Sequence, residues 1–419
     1  MNTPSSSFVL SHFAQGLKTE TAFDVLAVAK GLKAKGKDVV ELQIGDSPFP
    51  STASALVAGK KAIDDGMTHY CPSGGLPSFR EVIAANYKKE YGVDITAENV
   101  IVGPGAKVFE QFFCEAVLDP GDAVLVFTPH FPTYDPNIHR RQGEIVLSPL
   151  RQETQFRPNI NDVEEFVKNH PRAKAIFLNS PHNPTGGVAT EEDVKHIADI
   201  VRGKNIAIFS DEPYCHMAWE GKHHPMPAQP DILDQVVAAY TFSKSYSMSG
   251  WRCGYAISSP QLIRSMAKMA NTALSCTPPI VQLAGQAALE ADDKERDETM
   301  IKFQKKVELL VNALKKVDDV TVLMPAGTFY VFPNIAPICE RLGITSHGLA
   351  MFLLEGADDE FGVACLGGEC FGVAGKGFLR MSCAEPDDRL QLAVEFLKKA
   401  VHRTDRVKNY LEANPVYRQ

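Results

Sequence analysis

Tyr240-Thr241-Phe242-Ser243-Lys244-Ser245-Tyr246-Ser247-Met248-Ser249-Gly250-Trp251-Arg252-Cys253-Gly254-Tyr255 places one lysine among small hydroxyls, with an arginine eight residues on. Two apolar, strand-like runs flank the lysine, Val236–Phe242 and Cys253–Ser258. Hydroxyls and an arginine suit a phosphate, and a lysine among them can form an imine with a carbonyl. A surface lysine in a serine-rich turn is the competing reading of this stretch alone.

Working outward, the flanking runs belong to a longer series. Asn99–Val102, Ala123–Phe127, Glu144–Leu147, Lys174–Leu178, Ile206–Phe209, Val236–Phe242 and Gly254–Ser258 read as strands. Most are short apolar runs, as in strands covered on both faces. Amphipathic segments such as Lys107–Leu118 and Thr190–Arg202 lie between them and read as helices. The alternation predicts an α/β fold, a large doubly wound domain whose ligand sits beyond the carboxyl ends of the strands. After about residue 295 the texture becomes α+β. Met300–Val317 and Arg389–Val401 read as helices, and Val320–Leu323, Thr328–Phe332 and Phe378–Ser382 as strands. The expected organisation is an N-terminal arm over 1–50 that joins a smaller domain, a large domain over 51–295, and the small C-terminal domain over 296–419.

The chain of 419 residues carries a formal net charge of -8 and no basic cluster, which argues against nucleic-acid binding. Its nine cysteines are an odd number without a Cys-x-x-Cys pair, so no zinc site is expected and reduced thiols of an intracellular protein are. No apolar run approaches the length of a membrane span. Met1–Leu10 lacks a basic n-region, and the first arginine is Arg80, so a cytoplasmic protein is expected.

Five further segments bear on the lysine. Val102-Gly103-Pro104-Gly105-Ala106-Lys107 joins a strand to a helix through small residues, which lets backbone N–H groups approach an anion at the positive helix end. Asp211, in Ser210-Asp211-Glu212-Pro213-Tyr214, ends a buried strand, where a lone carboxylate is costly unless paired; capping of the next turn is the alternative. Asn179-Ser180-Pro181-His182-Asn183-Pro184-Thr185-Gly186 is a rigid turn able to aim Asn183 at a ligand. In Gly377-Phe378-Leu379-Arg380-Met381-Ser382, Arg380 sits inside an apolar strand and needs a bidentate carboxylate, from a substrate or from a structural salt bridge. Pro129-His130-Phe131-Pro132-Thr133-Tyr134 offers an aromatic face for a flat ring. A phosphate and a carbonyl held beside a lysine and a buried aspartate describe pyridoxal 5'-phosphate (PLP). In that reading Asp211 keeps the pyridine ring cationic and electron-accepting.

Together these segments resemble the class I/II aminotransferases of PLP fold type I, an aspartate aminotransferase-like family, over roughly residues 20–402. The resemblance implies that Lys244 is the Schiff-base lysine and proton shuttle, that Asp211 pairs with the ring nitrogen, and that Tyr214 and Asn183 contact the ring oxygen. Phe131 would stack on the ring. Gly105, Ala106 and Lys107, with Thr241, Ser243 and Arg252, would hold the phosphate. Tyr70, in Tyr70-Cys71-Pro72-Ser73-Gly74-Gly75, matches a tyrosine that reaches the neighbouring subunit's phosphate, which implies a homodimer with shared sites. Arg380 would clamp the substrate α-carboxylate and Gly45 would line the substrate pocket.

The implied activity moves an amino group from an L-amino acid, aspartate-like first, to a 2-oxo acid by a ping-pong mechanism. Lys107 matches a position that binds the side-chain carboxylate in one bacterial aspartate-using subgroup. Ala22 stands where that subgroup carries a threonine, and Asn271–Pro279 lacks the arginine of other aspartate enzymes. Alanine or aromatic donors therefore stay open, as does a PLP-dependent lyase on the same fold. A non-catalytic PLP-binding regulator would need an added DNA-binding module that the chain has no basic segment to supply.

Overall fold

The computed structural model describes residues 8–17 and 20–419, so the first seven residues of the expected N-terminal arm and positions 18–19 lie outside it. Its centre is a seven-stranded sheet made of β1 (Val100–Gly103), β2 (Ala123–Thr128), β3 (Glu144–Pro149), β4 (Ala173–Asn179), β5 (Ala207–Asp211), β6 (Val236–Thr241) and β7 (Gly254–Ile257). These are the seven runs expected from the sequence, shifted by one or two residues at their ends. The spatial order is β1-β7-β6-β5-β4-β2-β3. Only β7 runs against its neighbours.

Alternation along the strands explains why they read as unbroken apolar runs. Leu125, Phe127, Ile176, Leu178, Ile208 and Ala238 pack into one core, and Val124, Val126, Phe177, Phe209 and Val237 into another on the opposite face. Each face is covered by helices, among them Glu191–Val201 and Lys107–Val117, so both side-chain registers are buried. Burial of each large side chain contributes about 1.5–3 kcal/mol.

Register brings the functional ends together. Asn179 is the partner of Asp211, and Gly254 pairs with both Thr241 and Gly103. Gly254 has no room for a side chain: a Cβ there would lie 2.6 Å from the Tyr240 carbonyl oxygen and 2.7 Å from the Gly105 carbonyl carbon. Gly254→Ala is therefore expected to cost about 1–3 kcal/mol by overpacking. A urea titration checks this; an unchanged midpoint would mean that β7 and the Gly105 loop can separate freely.

A third core combines the two ends of the chain, with Val39, Val40, Phe303, Val331, Val363, Leu379 and Leu397 in one cluster. Asp38–Glu41 pairs in parallel with Phe361–Ala364, and Leu379–Ser382 lies between Leu366–Gly367 and Tyr330–Val331 in an antiparallel sheet. The long helix begins earlier than expected, at Asp293–Leu314, because its charged first turn carries no apolar period yet suits the helix dipole.

Two strand expectations fail here. Val320–Leu323 forms no strand, only a bridge from Thr321 to Asn334. Thr328–Phe332 shrinks to Tyr330–Val331. Asp319 and Thr328 both adopt positive φ, 62° and 64°, which takes the backbone out of the β region before each pairing can extend. Asp38–Glu41, Phe361–Ala364 and Leu366–Gly367 are strands without a sequence signature, being too short to show a period. All nine cysteines are free thiols. Among the described residues no helix is long and apolar enough to cross a membrane.

Candidate active site

The carboxyl ends of β4, β5 and β6 open into a cavity of about 500 Å³ lined by Asn179, Asp211 and Thr241. Lys244 lies in the turn after β6, and its Nζ donates to the Gly45 carbonyl oxygen at 2.5 Å. Ser243, Lys244 and Arg252 line the same cavity, together with Gly45, Ala106, Lys107, Phe131, Asn183, Tyr214 and Arg380. Stretches far apart in the chain are thus gathered into one space.

One end of the cavity is built for an anion. The helix Lys107–Val117 starts at Ala106 without a side-chain cap, leaving its first N–H groups available. The Thr241 hydroxyl donates to Ser243 Oγ at 2.8 Å, so both hydroxyls share one place. Arg252 donates to the Ser249 and Pro104 carbonyls at 2.8 and 2.9 Å, which sets the guanidinium against the Gly105 loop. Gly105 has φ +90°, and a Cβ there would lie 2.7 Å from Arg252 Nη2, so only glycine fits. Arg252 is itself left-handed at φ 58°, a conformation held by these bonds.

A second part is a buried carboxylate. Asp211 is 5% exposed, and its Oδ2 accepts from the Tyr134 hydroxyl at 2.6 Å rather than capping the next turn. His130 stacks on Tyr134 and bonds Asp135 Oδ1 at 2.7 Å, so it backs this network instead of lining the cavity. Glu212, next in sequence, accepts from Ser210, Tyr240 and Met226 and bonds His223, which fixes the strand end. Burial pushes the Asp211 carboxyl up to about 7, against the Tyr134 hydrogen bond, which lowers it.

The sign of that shift has a consequence for stability. The folded state keeps a proton that the unfolded chain has lost, so the contribution is present below the ordinary carboxyl range and is lost as pH rises through about 7. In the ligand-free protein Asp211→Asn is expected to raise stability at pH 8 by up to about 4 kcal/mol, with little gain at pH 4. Urea midpoints at the two pH values check this, and a gain independent of pH would contradict it. A cation placed against Asp211 relieves the same cost.

A third part is a buried arginine. Arg380, 4% exposed, donates to Asn183 Oδ1 at 3.1 Å and to the Gln43 carbonyl. Its Nε has no partner, and among the described residues no carboxylate forms an ion pair with it. The structural salt bridge considered from the sequence is absent there. Tyr330 and Phe371 hold the guanidinium plane at 4.4 and 4.8 Å from their ring centroids. The Tyr330 hydroxyl also meets Tyr214 Oη at 3.1 Å, and a Cβ on Gly45 would collide with it at 1.7 Å. Gly45 is therefore confined to glycine by packing.

Several residues here were not anticipated. Glu110 is buried in the cavity wall, accepts from Thr133 Oγ1 at 2.6 Å, and is pushed well above the usual carboxyl range by burial and by Asp211. Its spacing of three from Lys107 puts both on one helix face, a signal present in the sequence. Tyr134 belongs to the Pro129–Tyr134 stretch, but its bond to Asp211 depends on the fold. Glu20, whose carboxylate pairs with Lys107, had no local signal at all. Tyr70 is 88% exposed and does not line the cavity. A larger cavity of about 810 Å³, near His130, His139 and Arg140, contains none of the residues that the resemblance assigns to the cofactor or the substrate.

The donor set fits PLP: an uncapped helix end with two hydroxyls and an arginine for the phosphate, a buried aspartate for a cationic ring nitrogen, and an amine for the aldehyde. Comparison with known proteins agrees. The sequence profile of aminotransferase class I and II matches residues 37–397. An aspartate aminotransferase of Pyrococcus horikoshii is 35% identical over 371 residues, 88% of this chain and 92% of its own. A probable aspartate/prephenate aminotransferase of Aquifex aeolicus is 35% identical over 390 residues, covering 92% of this chain and 96% of its own. The structure of the Thermus thermophilus aspartate aminotransferase with maleate superposes with a TM-score of 0.87 at 30% identity, over 94% of this chain and all of that one. The chain belongs to the class I and II aminotransferase family, whose members use PLP, and its seven-stranded α/β fold is fold type I.

Proposed function

We propose that this aminotransferase moves the amino group of an aspartate-like L-amino acid to a 2-oxo acid such as 2-oxoglutarate, with PLP as cofactor. The observation that carries the reading is the convergence of Lys244, Asp211 and a carboxylate-free Arg380 on one cavity. Bound PLP would supply an aldehyde for amine exchange and a cationic ring that accepts the electron pair left when Cα loses its proton.

The chain's own residues do the rest. Thr241, Ser243, Arg252 and the N–H groups after Gly105 hold the phosphate. Asp211 holds the positive charge on the ring nitrogen, Phe131 supplies a face, and the Tyr214 hydroxyl and Asn183 amide supply polar contacts at the ring oxygen. Arg380 takes the α-carboxylate in a bidentate pair, and Asn183 Oδ1 fixes the guanidinium that does so. The Lys244 amine takes the Cα proton and would return it to the cofactor's former aldehyde carbon, on the far side of the amino nitrogen. The Gly45 carbonyl, within reach of Nζ, holds the amine in place between the two transfers.

Lys107 supports the aspartate-like preference. Of the four cations lining the cavity, Lys244, Arg252 and Arg380 have the tasks above, and Lys107 is left for a side-chain carboxylate. A neutral or aromatic donor is the second reading, favoured by Phe23 and Phe131 in the wall. The exposed Tyr70 would serve the partner's site in a homodimer. The division at residues 50 and 295 belongs to the same proposal, supported by the pairing of Asp38–Glu41 with Phe361–Ala364. Initial rates over a grid of L-aspartate and 2-oxoglutarate test the reaction: parallel double-reciprocal lines are expected, and converging lines would contradict it.

A further inference from the structure

We propose that Glu20 is a specificity-determining residue: an internal carboxylate that occupies Lys107 until a substrate's side-chain carboxylate displaces it. The inference rests on the reading of Lys107 as the cation left for a side chain. Glu20 immediately precedes the helix Thr21–Ala34 and lines the cavity beside Ala22 and Phe23, across from Lys107 and Phe131. Its carboxylate pairs with Lys107 Nζ, and the ammonium stands 5.1 Å from the Phe131 ring centroid. Glu20 is the only ion-pair partner of Lys107 among the described residues. The other carboxyl nearby, Glu110, has its pKa raised by burial and accepts from Thr133 Oγ1 and Asn137 Nδ2 rather than from Lys107.

Two states of one subsite follow. With Glu20 on Lys107 the subsite is neutral in sum and flanked by Phe23 and Phe131, which suits an uncharged side chain. With Glu20 displaced it is cationic and suits a dicarboxylate. A ping-pong enzyme must take two different side chains into one pocket in turn, and this pair lets it do so. The Lys107 side chain is 46% exposed, so the internal pair is weak enough to exchange.

The test is binding of succinate and of butyrate to the PLP-loaded protein by titration calorimetry, in wild type, Glu20→Gln, Lys107→Gln and the double variant. Glu20→Gln is expected to tighten succinate about fivefold and leave butyrate unchanged, with no tightening in the Lys107→Gln background. It should also raise the ratio of kcat/KM for L-aspartate over L-phenylalanine by a similar factor. Equal shifts for both probes, no shift, no succinate binding by the wild type, or tightening that survives loss of Lys107 would overturn the proposal. Amino transfer with unmoved succinate affinity removes this inference alone. The succinate effect without any amino transfer removes the functional reading and leaves the internal competition standing.

Discussion

Lys244→Ala is expected to lower amino transfer by at least about 10⁴-fold, because one side chain supplies both the amine that anchors the cofactor and the base that moves the Cα proton. No neighbour can take over. The other cations lining the cavity are Lys107, Arg252 and Arg380; the first is paired with Glu20, and a guanidinium offers donors but no acceptor for a proton. The fold should survive, since the truncation removes one hydrogen bond, to the Gly45 carbonyl, and nearby contacts with the Tyr214 and Phe329 rings at 5.9 and 5.7 Å. That bond is worth about 1 kcal/mol. Turnover, the visible absorbance of the lysine-bound cofactor and the thermal midpoint should be read together. Loss of the first two with the third retained is the expected pattern; normal turnover would remove Lys244 from the mechanism.

Arg380→Ala should lower kcat/KM by roughly 100-fold or more, the usual cost of leaving a buried carboxylate without its charged partner. The loss should fall on the amino acid and the 2-oxo acid alike, since both present the same carboxylate. Arg380→Lys should recover little, because the bidentate fork and its stacking between Tyr330 and Phe371 depend on a planar guanidinium. Asn183 and the Gln43 carbonyl already orient two of its nitrogens, so a single lysine ammonium cannot replace the set. An effect confined to one substrate would argue for a structural arginine instead.

How much of this was legible in the sequence follows from what each residue depends on. Six of the seven strands of the central sheet are readable because burial on both faces turns each into an apolar run, whereas the edge strand Glu144–Pro149 is mostly half-exposed, and Asp211, Asn183 and Thr241 could be placed at or just beyond the strand ends. Lys244 and Arg252 stood out by their serine-rich setting and Arg380 by its apolar neighbours. The fold adds what no local pattern carries. Tyr134 reaches Asp211 across 77 positions, Glu20 reaches Lys107 across 87, and Tyr330 closes the space over Gly45. The strand expected at Val320–Leu323 failed because a left-handed turn at Asp319 overrides β propensity, and the one at Thr328 shortens the strand expected at Thr328–Phe332. The part assigned to Tyr70 depends on a second chain, so its exposure in one chain leaves that part a proposal.

The most direct test of the central claim is a single-turnover absorbance spectrum of the PLP-loaded protein, first with L-aspartate and then with 2-oxoglutarate. The account predicts that the amino acid converts the visible band of the lysine-bound cofactor to the pyridoxamine phosphate band, and that the oxo acid restores it. A visible band unchanged by every amino acid, or one that persists while ammonia or another elimination product accumulates, would contradict it.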